Sequence, residues 1–339
     1  MKKKLVSLAI ASALVMPVIA QANDAPVVYG QLNMIYGKFD NKTDGTVTTD
    51  NWQVKSYDSR LGFKGTRDFG DGLMGVYQIE LGVNPDSDGK GTTPGNDGTA
   101  GLSRRNMFVG LKGGWGEFRV GRHDTPLKMA QGKFDQFGDT DADFKHAGSQ
   151  DAEHRFDNML LYLGKSGAIG YNIAVAPGED AGTAGSSSDN GPADTVSVSL
   201  SYTSGPMYAA VAQDKYANAA SAASDTMTRV VGTYNTGSMQ LGLLYQSGVK
   251  APAASSKEET WMGLSFGMNM GGNNKLKAQY VTTEDNATTK TEGTLTAIGF
   301  DHKFDKKTTG YVMYSATESK TGSSKTEGTV LGAGMLLKF

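Results

Sequence analysis

Charged side chains that could do chemistry are concentrated in one stretch of the chain, residues 121–155, GRHDTPLKMAQGKFDQFGDTDADFKHAGSQDAEHR. Arg122 and Arg155 lie near its two ends. Carboxylates fill the interval between them: Asp135, Asp139, Asp141, Asp143, Asp151 and Glu153. A connection of this length without strand or helix periodicity is unusual in a compact domain and is often functional. Metal binding, acid–base catalysis and an electrostatic role are the chemistries to weigh.

Metal binding is the first of these. Asp139, Asp141 and Asp143 have the spacing of the first three ligands of a calcium loop. Phe144 then stands where that loop needs glycine, and Gln150 where it needs a bidentate glutamate, so we reject an EF-hand. A divalent-cation site of another kind stays open as an alternative. No zinc spacing occurs among the histidines, which are His123, His146, His154 and His302. We expect neither a metal nor a cofactor.

Enzymatic motifs give no support for catalysis. The one GxSxG string, GLSFG at residues 263–267, lies inside an alternating strand pattern and not at the strand-to-helix turn of a nucleophile elbow, and the few histidines cannot be assigned to a serine or aspartate partner. Glycine-rich strings such as GGWGEF are typical of turns rather than of phosphate-binding loops. A hydrolase built on a membrane barrel is the enzyme alternative, and no residue pair supports it. We predict that the protein is not an enzyme.

Alternation of apolar and polar residues dominates the rest of the chain and predicts the elements that hold the charged stretch. It is clearest in residues 28–36, 195–202, 262–268 and 331–339. Alternation over about eight residues indicates strands with one apolar and one polar face.

The connections alternate in length. Short turns are predicted near residues 68–72, 113–116, 164–167, 204–206, 236–238, 271–274 and 305–307. Longer polar loops lie near residues 38–52, 84–102, 123–153, 177–193, 215–225, 248–258, 284–292 and 318–327. Interleaved in this way, the turns and loops join sixteen strands, and both ends of the chain lie on the short-turn side.

Two all-β architectures could use such strands. A soluble sandwich buries its apolar faces between two sheets, whereas a membrane barrel turns them towards lipid and keeps a polar lumen. The even strand number, the short turns on one side and inner faces without a second apolar surface favour the barrel. We predict an all-β fold, a transmembrane antiparallel barrel of 16 strands wide enough for an aqueous channel.

The N-terminus predicts export. Lys2, Lys3 and Lys4 precede an apolar run that ends at Ala20-Gln21-Ala22, which is typical of a cleaved signal peptide over residues 1–22. A transmembrane helix at this position is the alternative. Removal of the peptide leaves a barrel domain of residues 23–339 and changes the net charge from −2 to −5. An acidic chain of this kind lacks the excess of positive charge that is typical of nucleic-acid binding.

Several strings of residues, taken in order, resemble the Gram-negative general porins. They are VVYGQLN, SRLGFKGTRDFGDGL, RRNMFVGLKGGWGEFRVGR, RFDNMLLY, FDKKTTGYVMY and the final LLKF. The resemblance covers essentially the whole chain after residue 22. It implies a homotrimer of sixteen-stranded barrels in the outer membrane, in contact with lipid and lipopolysaccharide. It also implies that the loop of residues 123–153 folds into the lumen as a constriction loop.

The same resemblance places a basic cluster on the wall of the constriction. By carry-over it contains Arg60, Arg105 and Arg155; Lys64 shares the face of Arg60, and Arg122 ends a strand where the loop begins. The acids expected to face them are Asp135, Asp139, Asp141 and Asp143. Opposed charges across a narrow aqueous gap would create a transverse field that orients polar solutes and biases ion passage. Solvated charges of no special role are the alternative.

Departures from the family pattern affect selectivity more than fold. Arg67-Asp68 stands where relatives commonly have Glu-Asp, and Gln31 replaces a basic residue that some relatives carry. We therefore predict passive diffusion of small hydrophilic solutes and ions across the outer membrane. The alternative is a channel specific for a sugar or oligosaccharide, which would need a row of aromatic side chains along the lumen. Only Trp52, Trp115 and Trp261 are available as tryptophans.

Overall fold

The computed structural model describes residues 25–86, 101–148, 153–178, 191–217, 224–250 and 257–339. The predicted signal peptide of residues 1–22 lies outside these ranges, as does part of each of several long loops, including Asp151. Among the described residues, no helix is long and apolar enough to cross a membrane.

Strands make up most of the described chain. In order they are β1 (Val27–Thr43), β2 (Thr46–Ser56), β3 (Arg60–Gly70), β4 (Leu73–Val83), β5 (Leu102–Gly113), β6 (Gly116–Asp124), β7 (Arg155–Ser166), β8 (Ile169–Ala176), β9 (Thr195–Ser204), β10 (Met207–Ala217), β11 (Ser224–Asn235), β12 (Met239–Lys250), β13 (Lys257–Asn269), β14 (Asn274–Asp285), β15 (Thr291–Lys303), β16 (Thr308–Thr321) and β17 (Ser324–Lys338). A four-residue α-helix, α1 (Pro126–Met129), and a 3-10 helix (Phe144–Ala147) lie between β6 and β7.

The strands form one closed antiparallel sheet. Each strand from β3 to β17 pairs with the next, and β17 pairs with β1 in a register that places Met34 opposite Met335. β2 and β3 together form one barrel strand, because β2 pairs with the second half of β1 and β3 with residues Val27–Gln31 at its start. The barrel therefore has sixteen strands, which confirms the predicted fold class and strand number.

The outer face of the sheet is apolar and exposed, as the alternation predicts. In β12, Leu241 and Leu243 are 51% and 62% exposed, whereas Gln240 and Gln246 on the other face are buried. Leu331 in β17 is likewise exposed. A monomeric water-soluble protein rarely leaves so much apolar side-chain surface uncovered, whereas a barrel in lipid requires it.

The opposite face is not uniformly polar, and here the expectation of inner faces without apolar residues is wrong. Met227, Val231, Leu244, Val281 and Leu295 lie on it and are almost completely buried. They are covered by residues 125–148, whose Leu127, Phe134, Phe137, Ala142 and Phe144 belong to the same hydrophobic cluster. Apolar side chains occur on this face because the segment that packs there removes them from water.

Two short helices order residues 125–148, although the sequence there has no helical periodicity. Thr125 caps α1 by accepting a hydrogen bond from the Lys128 amide at 3.1 Å, and Pro126 occupies the first helical position, where no amide hydrogen is needed. Asp143 caps the 3-10 helix by accepting from the Lys145 amide at 3.1 Å. Local capping therefore replaces the hydrophobic pattern that longer helices use.

Candidate functional site

The 125–148 segment is fixed to the wall by aromatic packing where the strands carry glycine. Phe134 is completely buried against β12 and β13. A Cβ atom at Gly263 would lie 2.5 Å from Cζ of Phe134, and one at Gly242 would lie 3.1 Å from its Cδ2. Phe144 adds edge-to-face contacts with Phe134 and with the buried Trp261. Small residues on the strands thus leave the space that the segment fills.

A buried arginine makes several polar contacts between this region and the wall. Arg229 of β11 is fully buried and donates to Glu153 at 2.8 Å, just before β7. Its guanidinium also donates to Gln246 Oε1 at 2.7 and 2.9 Å and to the Leu127 carbonyl oxygen at 3.3 Å. The same group lies over the Phe144 ring. We call Arg229 and Glu153 the latch pair, because it joins both ends of the connection to β11.

Burial raises the pKa of the Glu153 carboxyl to about 7, although the charge of Arg229 lowers it. The folded protein therefore binds a proton at Glu153 between the ordinary pKa of 4.5 and about 7, where the unfolded chain does not. Stability from this group is present at low pH and lost as the pH rises through that window. The loss amounts to about 3 kcal/mol in total.

We expect the Glu153→Gln variant to lack this loss. In urea unfolding of the refolded protein in lipid, the free energy of unfolding of the wild type should fall relative to that of the variant between pH 4.5 and pH 7. Aspartates and histidines elsewhere affect both proteins equally, so the difference between the two curves isolates Glu153. Parallel curves would contradict the assignment.

A second set of polar contacts joins α1 and the residue after it to β9 and β10. The Leu127 amide donates to Ser197 Oγ of β9 at 3.3 Å, and Ser197 in turn donates to the fully buried Asp214 of β10. Tyr208 Oη of β10 donates to the Ala130 carbonyl oxygen at 2.9 Å. The segment is thus tied to β9, β10 and β11 at its start.

The middle of the segment meets the first strands of the barrel. Asp139 pairs with Arg60 of β3, with 3.1 Å between Oδ2 and Nη2, and Gln31 of β1 bridges the two side chains. Asp141 accepts from Lys55 Nζ of β2 at 2.6 and 2.9 Å and from Tyr57 Oη at 2.7 Å. Two of the four predicted loop acids therefore reach cations of the wall, one of them the predicted Arg60.

The other two acids, Asp135 and Asp143, bond to groups within the segment itself. Asp135 accepts from the Phe137 amide at 2.8 Å, and Asp143 caps the 3-10 helix and lies 3.5 Å from Lys145 Nζ. Burial, reinforced by the nearby Asp143 carboxylate, raises the pKa of Asp135 well above its usual range. In the described part of the chain, neither acid forms an ion pair with the predicted basic residues of the wall.

The predicted basic residues largely have acidic partners of their own. Arg105 of β5 pairs with Asp58 at 2.6 Å and with Glu80 at 2.8 Å. Arg122 lies 3.0 Å from Asp157, and Arg155 lies 2.8 Å from Asp124. Lys64 is placed over the ring of Tyr29, whose hydroxyl donates to Glu80 at 2.9 Å. The wall is therefore a network of alternating charges rather than a bare positive surface.

Sequence reasoning missed several members of this network. Strand alternation could have identified Lys55 as a lumen-side residue, because it follows the exposed, apolar Val54 and so lies on the opposite face of β2. Asp58 and Glu80 were not, because Asp58 lies in the break between β2 and β3 and Glu80 at a register shift between β4 and β5. Among the described residues, no group of three or more histidine, aspartate or glutamate side chains could hold a metal ion.

Comparisons with known proteins agree with this architecture. A model of the family described as Gram-negative porin matches residues 7–322. The major outer membrane protein P.IB of Neisseria gonorrhoeae is 31% identical over 204 residues, a match that spans 55% of this chain and 51%, about half, of that protein. The protein of the same name from Neisseria lactamica is 25% identical over 365 residues and the full length of both chains.

Solved structures show the same fold at low identity. The anion-selective porin from Comamonas acidovorans superposes with a TM-score of 0.76 at 20% identity, over 93% of this chain and 100% of that one. The trimer form of OmpT, an outer membrane protein of Vibrio cholerae, gives a TM-score of 0.66 at 16% identity, over 94% of this chain and 100% of that one.

Proposed function

This chain belongs to the Gram-negative porin family and is an outer-membrane β-barrel protein, and from that premise we propose that it is a passive diffusion channel for small hydrophilic solutes and ions. The proposal is carried by one observation: a closed sixteen-stranded sheet has an exposed apolar face on one side and an ionic network on the other. Charges pair at such density only where water or other charges stabilise them. A hydrated lumen supplies both.

We also propose that the 125–148 segment lies in the lumen and narrows it. Its support is the set of contacts around the barrel: Phe134 with β12 and β13, Arg229 of β11 with Leu127, and Asp139 with β3. A segment that touches strands on both sides of the barrel and packs on their non-lipid face crosses the interior. The remaining opening is then lined by the ionic network.

In this constriction the basic side is formed by Arg60, Lys64, Arg105, Arg122 and Arg155, and Asp139 and Asp141 face it from the segment. Because each described arginine of this set has a carboxylate within 3.1 Å, the local field comes from closely spaced dipoles rather than from a large net charge. Such a field orients water and polar solutes and slows apolar ones. Asp135 and Asp143 act by shaping the segment.

The partners of the channel follow from its surfaces. Contact of the apolar outer face with membrane lipid and of the loop side with lipopolysaccharide is part of the proposal. We propose a homotrimer as well, supported by family membership and by the trimer form of OmpT, which has the same fold. Solutes pass down their own concentration gradient without any reaction.

Reconstitution in planar bilayers tests this function. We expect large, ohmic single-channel openings in potassium chloride, in groups of three for a trimer, and swelling of liposomes in small sugars that declines as sugar size increases. A substrate-specific channel would instead be blocked by one sugar at low concentration. The aromatic row that it needs is not supplied by the tryptophans: Trp52 and Trp115 are exposed and Trp261 is buried against Phe144. Absence of any conductance from correctly folded protein would refute the proposal.

A further inference from the structure

A second group of charges lies away from the arginines, at the end of the barrel where the short turns, the start of β1 and the end of β17 are found. It contains Lys133 of the 125–148 segment, Lys275 and Lys277 at the start of β14, and Lys303 at the end of β15. We call these four residues the lysine cluster. None of them takes part in the ion pairs of the proposed constriction.

The strand register brings the three strand lysines of the cluster together on the face of the sheet that does not meet lipid. Lys275 and Lys277 alternate in β14 with residues on the side of the exposed Tyr280. Lys275 is directly opposite Asp301 of β15, and Lys303 follows Asp301 on the same face two residues later. Same-face neighbours along a strand are about 7 Å apart, so these ammonium groups share one small region.

Contacts with the 125–148 segment hold two of the lysines in place. Lys275 Nζ donates to Gln136 Oε1 at 2.8 Å. Lys277 Nζ lies 3.0 Å from Asp301 Oδ1 and 4.6 Å from the centre of the Phe137 ring. Strand and segment together therefore fix Lys275 and Lys277, and the exposed Lys133 and Lys303 complete the cluster around them.

Positive charge is in excess in this region. The charges of Lys133, Lys277 and Lys303 all act on Lys275, and Asp301 offsets part of their effect. Gln136 and Gln279, the neighbouring polar side chains, carry no charge. Fixed ammonium groups at the mouth of a low-dielectric channel attract anions, and more strongly the higher the anion's charge.

We propose that the lysine cluster is a binding site for small solutes that carry a phosphate group, placed at the end of the channel opposite the long loops. Lysine binds phosphate as a point charge, so no planar, bidentate geometry of the kind that arginine provides is needed. This inference rests on the proposed channel function and adds a ligand class to it. The site slows phosphate-bearing solutes as they pass, whereas chloride passes with little retention.

Conductance measured against salt concentration tests the proposal. Wild-type channels should show conductance that rises linearly with potassium chloride but saturates with potassium phosphate. In the Lys275→Gln, Lys303→Gln double variant the half-saturating phosphate concentration should rise about tenfold, because two positive charges near the anion are lost. Lys277 is kept, since it is almost fully buried and packs against Phe137.

A matched control removes two charges from the same end of the barrel elsewhere, in the Lys112→Gln, Lys165→Gln variant, which should saturate as the wild type does. Added glucose 6-phosphate should block chloride current in the wild type and glucose should not, which distinguishes phosphate esters from free phosphate alone. Linear conductance in phosphate, or equal saturation in all three proteins, would overturn the lysine site while potassium chloride currents still support the channel. Absence of potassium chloride current would overturn both.

Discussion

Replacing Arg229 with alanine is expected to free the 125–148 segment from β11 and to lower the free energy of unfolding by about 3–5 kcal/mol. Arg229 is fully buried, and its removal leaves Glu153 without the guanidinium that lies 2.8 Å away. Gln246 and the Leu127 carbonyl oxygen lose a donor as well. Urea unfolding in lipid vesicles measures the loss, and single-channel recording should show a larger and noisier conductance.

The double variant Arg229→Met, Glu153→Gln is the control for this experiment. It removes both charges together, so no unpaired ion remains buried, and most of the stability should return. Trp261, which contacts Phe144 of the segment, provides a local fluorescence signal that distinguishes release of the segment from loss of the whole barrel. Equal stability and equal conductance in Arg229→Ala and the wild type would contradict the latch pair.

The second large effect concerns ion selectivity. Replacing Arg60 and Arg105 by alanine together should raise the cation-to-anion permeability ratio by roughly tenfold. At ~12 Å in water, each lost charge shifts the energies of a cation and of an anion by about 0.35 kcal/mol in opposite directions, so the ratio changes roughly threefold per charge. The change favours cations because the carboxylates that paired with the two arginines, Asp139, Asp58 and Glu80, remain.

The zero-current potential across a salt gradient measures this ratio directly. Arg60→Lys with Arg105→Lys keeps both charges and should retain the wild-type ratio within about twofold. Adding Asp58→Asn to the alanine pair should return part of the shift, since it removes one of the unmasked carboxylates. A ratio that does not change in the alanine pair would show that ions do not pass this network.

The barrel was predictable from residue pattern because each strand that meets lipid must alternate. Residues 262–268 and 331–339 alternate clearly between apolar and polar side chains, and the lengths of turns and loops then define the strand number. The apolar positions on the other face were not predictable in this way. Val230 and Val231 are adjacent and both apolar, and only the packing of the segment decides that Val231 is buried.

The candidate site, like the fold, was predictable from the sequence only in part. Arg60 follows from strand parity and from the family resemblance, and its contact with Asp139 needs only a segment that enters the barrel. The partners of Arg105 depend on residues 25 and 47 positions away in the chain. No local pattern encodes such pairs, because they arise from the register of neighbouring strands and from the break at residues 57–59.

Central to this account is the placement of the 125–148 segment in the water-filled lumen, and a single thiol tests it most directly. The chain contains no cysteine, so Asp141→Cys introduces the only one, at a position that is 22% exposed beside Lys55. Asp71→Cys, at the tip of the β3–β4 turn, is the matched control. We predict that a bulky cationic thiol reagent lowers single-channel conductance stepwise in Asp141→Cys and leaves Asp71→Cys unchanged. Complete modification of Asp141→Cys by mass spectrometry with an unaltered current would contradict the account.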